Sequence, residues 1–220
     1  MVLIHPKDRF LITTKRPAEP AAETQPRRSQ PRGMKRAREL LDVATDLFIS
    51  QGIDETTIDD IAAHAGIAKG TFYHHYDSKA ALLQAIREAF IEDFDNYVDN
   101  ALAKQHSDDP RVRLGTWVRA VCEAYALMTQ RQDIAFASDG FRWTPRNQRH
   151  LEDLVVLIGQ GNANGCWLIA DPYKTAIFIQ RGLIGVMDDM LLTGKSLKGV
   201  HKDVMELVHH AAGLQPPGKP

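Results

Sequence analysis

The chain lacks most of what would mark an enzyme, a secreted scaffold or a membrane protein. It has two cysteines in 220 residues, Cys122 and Cys166. Both sit in apolar surroundings, with no metal-ligand spacing and no disulfide framework, and both are read as reduced core residues. No cluster of histidine, cysteine and carboxylate has metal spacing. The adjacent pairs His74-His75 and His209-His210 point to different helix faces, so neither metal nor cofactor is expected. No cysteine or histidine stands with the partner a nucleophile or acid–base pair requires, which argues against an enzyme. No apolar run approaches the ~18–20 residues of a membrane span. The MVLIHP opening lacks the hydrophobic segment of a signal peptide, so a cytoplasmic protein with no membrane contact is expected. No stretch alternates with period two for long enough to demand a strand.

Net charge is also small, −1 overall, which argues against a nonspecific nucleic-acid coat. Its distribution is more telling. Residues 1–38 hold ten Lys/Arg against three acids, a net +7, leaving −8 for the remainder. A basic arm leading into an acidic body suits a protein that touches phosphates at one end only. Residues 1–32 are rich in proline and arginine and have no helical period, so a disordered arm is expected there. Its Arg27, Arg28 and Arg32 are placed to reach a minor groove. Two blander readings stand beside that one: a solvated tail, or an over-extended start with translation beginning near Met34.

What the chain has is helical punctuation. Leu40, Val43, Ala44, Leu47 and Phe48 form an amphipathic stripe closed by Gly52 and Ile53. Thr57 then precedes an apolar-periodic run, with Asp60 three residues on, a weaker relative of the capping box. Ile58, Ile61, Ala62 and Ala65 share one face, Gly66 can take positive φ and turn the chain, and Ile67 fills the corner. A second short helix runs from about Ala68 to Tyr76, with Phe72 and Tyr76 directed inward. Lys69, Gly70, Tyr73 and His74 occupy the opposite arc, with Thr71 at its edge. Two short helices at a glycine corner form a helix-turn-helix, whose second helix enters the major groove of double-stranded DNA.

The outward groups suit that task. Gly70 adds no bulk, Thr71 can reach a base edge, and Tyr73 can hydrogen-bond a phosphate. Lys69 and Lys79 supply charge, and Ser78 caps the helix that follows. Charge is sparse, however: Lys69 and Lys79 stand against Asp59, Asp60 and Asp77.

LFISQGID followed by TTIDDIAAHAGIAKGTFYHHYDSKAALL resembles the DNA-binding domain of the tetracycline-repressor (TetR) family of bacterial regulators, over about Ala37 to Ile86. The resemblance implies that Thr57, Lys69, Gly70, Thr71, Tyr73, His74 and Lys79 stand where family members contact operator DNA. It also implies a repressor in the bacterial cytosol, released by an effector. Ala68 departs from the pattern, standing where a serine often caps the recognition helix. A sequence-tolerant architectural DNA binder is the alternative reading.

The rest is helical: an all-α protein of about nine helices, with an arm (1–32), a helix-turn-helix domain (33–80), a helical effector and dimerisation domain (81–213) and a tail (214–220). Leu83, Ile86, Phe90, Phe94, Tyr97 and Ala101 mark one long strut. Asp109-Pro110, Thr144-Pro145 and Asp171-Pro172 are cap-then-proline helix starts. A short helix is expected near Asp133 to Ser138, and the helix after Pro145 is expected to dissolve into a linker from Gly159 to Gly165. Trp117, Tyr125, Met128, Phe136, Phe141, Trp143 and Trp167 concentrate aromatic and soft side chains. They are candidates for an apolar or aromatic effector pocket, or else plain core. His106, His150 and Asp133 read as surface residues or polar anchors. The segment from Pro172 to Leu192 is apolar on more sides than one core face can use. Ile177, Gly182, Ile184, Gly185, Met187 and Leu191, with Val204, Leu207 and Val208 of the last helix, are candidates for a homodimer interface. Two-fold symmetry would set two recognition helices one DNA turn apart over a palindromic site.

Overall fold

The computed structural model describes residues 32–136 and 149–213, and places eight α-helices there and no strand. They are α1 (Arg32–Gln51), α2 (Ile58–His64), α3 (Lys69–His75), α4 (Lys79–Ala103), α5 (Pro110–Phe136), α6 (Arg149–Ala163), α7 (Pro172–Leu192) and α8 (Val200–Ala212). The arm residues 1–31, with Arg27 and Arg28, lie outside the described residues. So do Phe141, Trp143 and the Thr144-Pro145 start.

Among the described residues the helices number eight, and the expected short helix at Asp133 is, as far as Phe136, the end of α5. Thr129 to Gln132 contain no glycine or proline, and nothing stops the helix before Phe136. For a related reason α6 runs through Gly159 and Gly161 to Ala163 instead of dissolving. A glycine weakens a helix by about 1 kcal/mol but does not end one. The chain turns only at Gly165, whose φ is 67°.

Two cores form, and α4 is shared between them. Leu40, Ala44, Phe48, Ile61, Phe72, Leu82 and Ile86 make a head core of α1 to α3 and the start of α4. Phe90, Phe94, Val98 and Leu102 carry the same helix into a larger core with α5 to α8. The head therefore takes in α4 as far as Ala89, past the boundary at residue 80. Along α4 the inward stripe is Leu82, Ile86, Phe90, Phe94, Val98 and Leu102, whereas Leu83, Tyr97 and Ala101 are only half-buried. Asp93 joins the two cores: its carboxylate receives Arg38 of α1 at 2.5 Å and Arg131 of α5 at 3.0 Å. Arg87 donates to the Ala135 carbonyl at 2.8 Å, and Ile134 packs against the head.

The larger core contains a buried polar chain. Asp95 of α4 is 3% exposed and accepts from the ring Nδ1 of His150 at 2.5 Å and from the Arg149 amide at 3.3 Å. His150 Nε2 lies 2.8 Å from the amide nitrogen of Gln180, itself buried on α7. With Gln180 donating there, the ring proton sits on Nδ1, facing Asp95. His150 is thus a core residue and not a surface one, while His106 and Asp133 are exposed as expected.

One turn further along α6, Asp153 is half-buried. Burial pushes its carboxyl from 3.8 up to about 6, helped by the negative charges of Asp99 and Asp95 and opposed by His150. Its native pKa exceeds the unfolded value, so the folded state holds a proton that the unfolded chain has released. That contribution to stability is complete below about pH 4 and is lost as pH rises through about 6. Asp153→Asn is expected to remove this loss. After discounting for partial exposure, the gain should be about 1 kcal/mol near pH 8 and close to none near pH 4, read by urea denaturation at both values.

Candidate nucleic-acid interface

The helix-turn-helix is built by caps. Thr57 and Asp60 form a complete capping box: the Thr57 hydroxyl accepts from the Asp60 amide at 3.1 Å and the Asp60 carboxylate accepts from the Thr57 amide at 2.9 Å. Gly66 takes φ 63° at the corner, and the Ile67 amide returns to the Ala62 carbonyl. No side chain caps α3 at Ala68, as its missing hydroxyl requires. The Ser78 hydroxyl accepts from the Ala81 amide and starts α4. Phe72 is fully buried, with the Tyr76 ring beside it and the Tyr76 hydroxyl donating to the Ala37 carbonyl. These contacts hold the axis and rotation of α3.

That rotation sets what α3 presents. Lys69, Gly70, Tyr73 and His74 are exposed, Tyr73 by 46%, and Thr71 is half-buried at the margin. A Cβ added at Gly70 would meet nothing within 4 Å, so the outer surface of the helix start is open. Tyr73 stands edge-on to Phe72 with 5.5 Å between ring centroids, which steadies the ring and leaves its hydroxyl outward.

The two lysines differ in their surroundings. Lys69 is exposed but pairs with Asp59 of α2 at 2.9 Å, and that hydrogen bond holds its ammonium above the ordinary lysine range. Sequence reading counted Asp59 only as charge; its position opposite Lys69 follows from the corner geometry. Lys79 points inward. Its ammonium donates to the carbonyls of Ile53, Thr56 and Asp54 at 2.8, 3.2 and 3.5 Å. It therefore ties the start of α4 to the loop after α1, a positioning contact rather than a free charge. Thr57, though exposed, has its hydroxyl engaged with Asp60 in both directions.

The candidate pocket residues lie mostly in packed core. Trp117 is fully buried and donates to the His150 carbonyl at 2.8 Å; Trp167 is 4% exposed and donates to the Ile158 carbonyl at 2.8 Å. Tyr125 is buried with its hydroxyl on the Asp188 carboxylate, and burial followed by that contact pushes the phenol well above its usual range. Met128 and Phe136 are half-buried against the same core, Phe136 edge-on to Phe90. Both cysteines are buried and unpaired with each other, and burial pushes the Cys122 thiol up to about 12, which keeps it inert at neutral pH.

The candidate interface residues divide. Met187, Val204 and Val208 are buried in the chain's own core, because the inner stripes of α7 and α8 pass through them. Ile177 and Ile184 are half-buried. Gly182 and Gly185 are exposed with open space beside them, Leu191 is 38% exposed and Leu207 55%. Phe178 at 58%, part of the apolar excess of that helix, and Leu192 at 88% add to this apolar surface.

Residues 40–86 match the family model described as bacterial regulatory proteins, tetR family. The HTH-type transcriptional repressor KstR2 of Rhodococcus jostii is 47% identical over 58 residues, 26% of this chain and 28% of the relative. The HTH-type transcriptional regulator EthR of Mycolicibacterium smegmatis is 33% identical over 85 residues, 39% of each. Both alignments thus span well under half of the relative's length. Solved structures share the fold over most of the chain. The fatty acid degradation regulator FadR from Bacillus halodurans has a TM-score of 0.65 at 18% identity, covering 82% of this chain and 97% of that one. A SmeT–triclosan complex has a TM-score of 0.62 at 20% identity, covering 84% and 99%. Among the described residues no helix is long and apolar enough to cross a membrane. The similarity to the tetR family of bacterial regulatory proteins thus lies in the amino-terminal domain, over residues 40–86.

Proposed function

We propose that the protein is a ligand-responsive transcriptional regulator, most simply a repressor, that binds a palindromic operator as a homodimer. The observation that carries this reading is the face of α3. Lys69, Gly70, Tyr73 and His74 lie open on a helix whose opposite side is locked by Phe72. Thr71 borders that face. Thr57 and Lys79 serve it by fixing the two helices and the strut behind them. Phe178, Gly182, Gly185, Leu191, Leu192 and Leu207 supply an apolar face on α7 and α8 against which a second copy would pack, setting two α3 helices one DNA turn apart.

Release works through α4. Its first three turns belong to the head core and the rest to the body core, so an effector lodged among α5 to α7 would tilt the head. The triclosan complex of SmeT supports a small apolar or aromatic effector in a body of this fold. The effector moves the equilibrium only by its differential affinity for the two states, and operator DNA weakens effector binding by the same factor.

The test is a mobility-shift titration against the DNA upstream of this gene. Tyr73→Phe loses one hydrogen bond to a charged phosphate and should weaken binding about tenfold. Lys69→Ala should lower the salt dependence by about one counterion with a smaller loss, because Asp59 already occupies that ammonium. Wild-type binding by both variants would refute the assigned face.

A further inference from the structure

One concavity is lined by none of the residues assigned above to DNA binding, an effector or the pairing of copies. Between α5 and α8 lies a cleft of about 480 Å³, open to solvent on one side. This lies within the roughly 300–1,000 Å³ of small-molecule sites. It is built on the edge of α8 next to the core stripe of Val200, Val204 and Val208: His201, Met205 and His209, each one residue further on, line the cleft. The opposite wall is α5, with Val112, Gly115 and Arg119.

Three features of this lining point to a ligand. The Arg119 and Lys202 side chains are exposed, come from opposite walls, and make no ion pair or side-chain hydrogen bond among the described residues, although Arg119 lies within electrostatic reach of Tyr97 on α4. Glu206 is the lone carboxylate of the lining and pairs with neither of them. Gly115 stands in the interior of a 27-residue helix, where glycine is costly, yet no neighbouring group needs the space: an added Cβ would meet nothing within 4 Å. The cleft lies over it. Val112 and Met205 flank that bare stretch with apolar surface. Burial and the neighbouring His210 hold His209 below the ordinary histidine range, so at neutral pH it contributes a polar ring without charge.

We propose that the α5–α8 cleft binds a carboxylate bearing a short hydrocarbon group, its anion between Arg119 and Lys202 and its hydrocarbon over Gly115 between Val112 and Met205. Two cations against one acid favour a single negative charge, and the apolar floor requires a hydrocarbon behind it.

The experiment is calorimetric titration of the full-length protein with octanoate, with acetate, inorganic phosphate and octylamine as comparisons. Saturable octanoate binding is expected, with the three comparisons at least tenfold weaker. The double variant Arg119→Gln, Lys202→Gln should weaken octanoate at least tenfold. Gly115→Phe, which fills the cleft from an open position, should abolish binding while the circular dichroism spectrum stays that of wild type. No octanoate binding, equal binding of octylamine, or octanoate affinity unchanged in either variant would overturn the assignment. None of these outcomes depends on whether the α3 face binds DNA.

Discussion

Asp95→Ala is expected to be the most damaging single substitution in the body, lowering stability by about 3–5 kcal/mol, because it removes one partner of a buried charged contact and leaves the others unpaired. The carboxylate serves several donors at once: the His150 ring, the backbone amides of Arg149 and His150 at the start of α6, and the Arg149 guanidinium at 3.5 Å. Alanine would leave the His150 amide and ring buried without an acceptor. It would also release His150, on which Gln180 and the Trp117 contact depend. Asp95→Asn keeps the shape and one acceptor oxygen and should lose about half as much. Urea denaturation of the three proteins checks this order. Equal midpoints for wild type and Asp95→Ala would mean that the polar chain contributes nothing to holding α4, α6 and α7 together.

The second large effect belongs to Gly161. The turn at Gly165 folds the chain back so that the Trp167 ring lies on the Gly161 backbone. An added Cβ would sit 1.9 Å from Trp167 Cζ2 and 2.0 Å from Cε2. The ring has little room to move, since its indole nitrogen is bonded to the Ile158 carbonyl. The Asn162 side chain also holds the Ile169 backbone at both ends, at 2.7 and 2.8 Å. Gly161→Ala should therefore cost about 2–3 kcal/mol net: overpacking of a tight site outweighs the roughly 1 kcal/mol that alanine contributes to helix propensity. Gly159→Ala, two residues earlier in the same helix with nothing within 4 Å, should instead stabilise by up to about 1 kcal/mol. Opposite shifts in melting temperature, about 2–4 °C per kcal/mol for a chain of this size, are the expected result. Matching shifts would contradict the close approach.

These two sites also show where sequence reading stops. Helix ends are local matters, and the Thr57–Asp60 box, the turns at Gly52 and Gly66, and the caps at Asp109 and Asp171 were all legible. So was the outward arc of α3, because a seven-residue helix with Phe72 inward leaves one arrangement for Lys69, Gly70, Tyr73 and His74. Asp95 and His150 are separated by 55 residues, and no periodicity distinguishes a buried histidine with a distant carboxylate from a surface one. Lys79 reads as a phosphate ligand until the carbonyls of the loop after α1 are seen around it. Gly161 reads as a linker because its close neighbour is an indole beyond a turn. Met187, Val204 and Val208 look like interface residues for a similar reason: apolar excess shows that a helix has two buried sides, but not which side meets a partner.

The central claim is that the open arc of α3 enters DNA. The most direct measurement is a mobility-shift titration of Gly70→Glu against the DNA upstream of this gene, beside wild type. The position is open to a side chain, so the variant should melt no lower than wild type, while a carboxylate aimed at the phosphates abolishes the complex. A folded Gly70→Glu protein that binds the duplex with wild-type affinity would contradict the account.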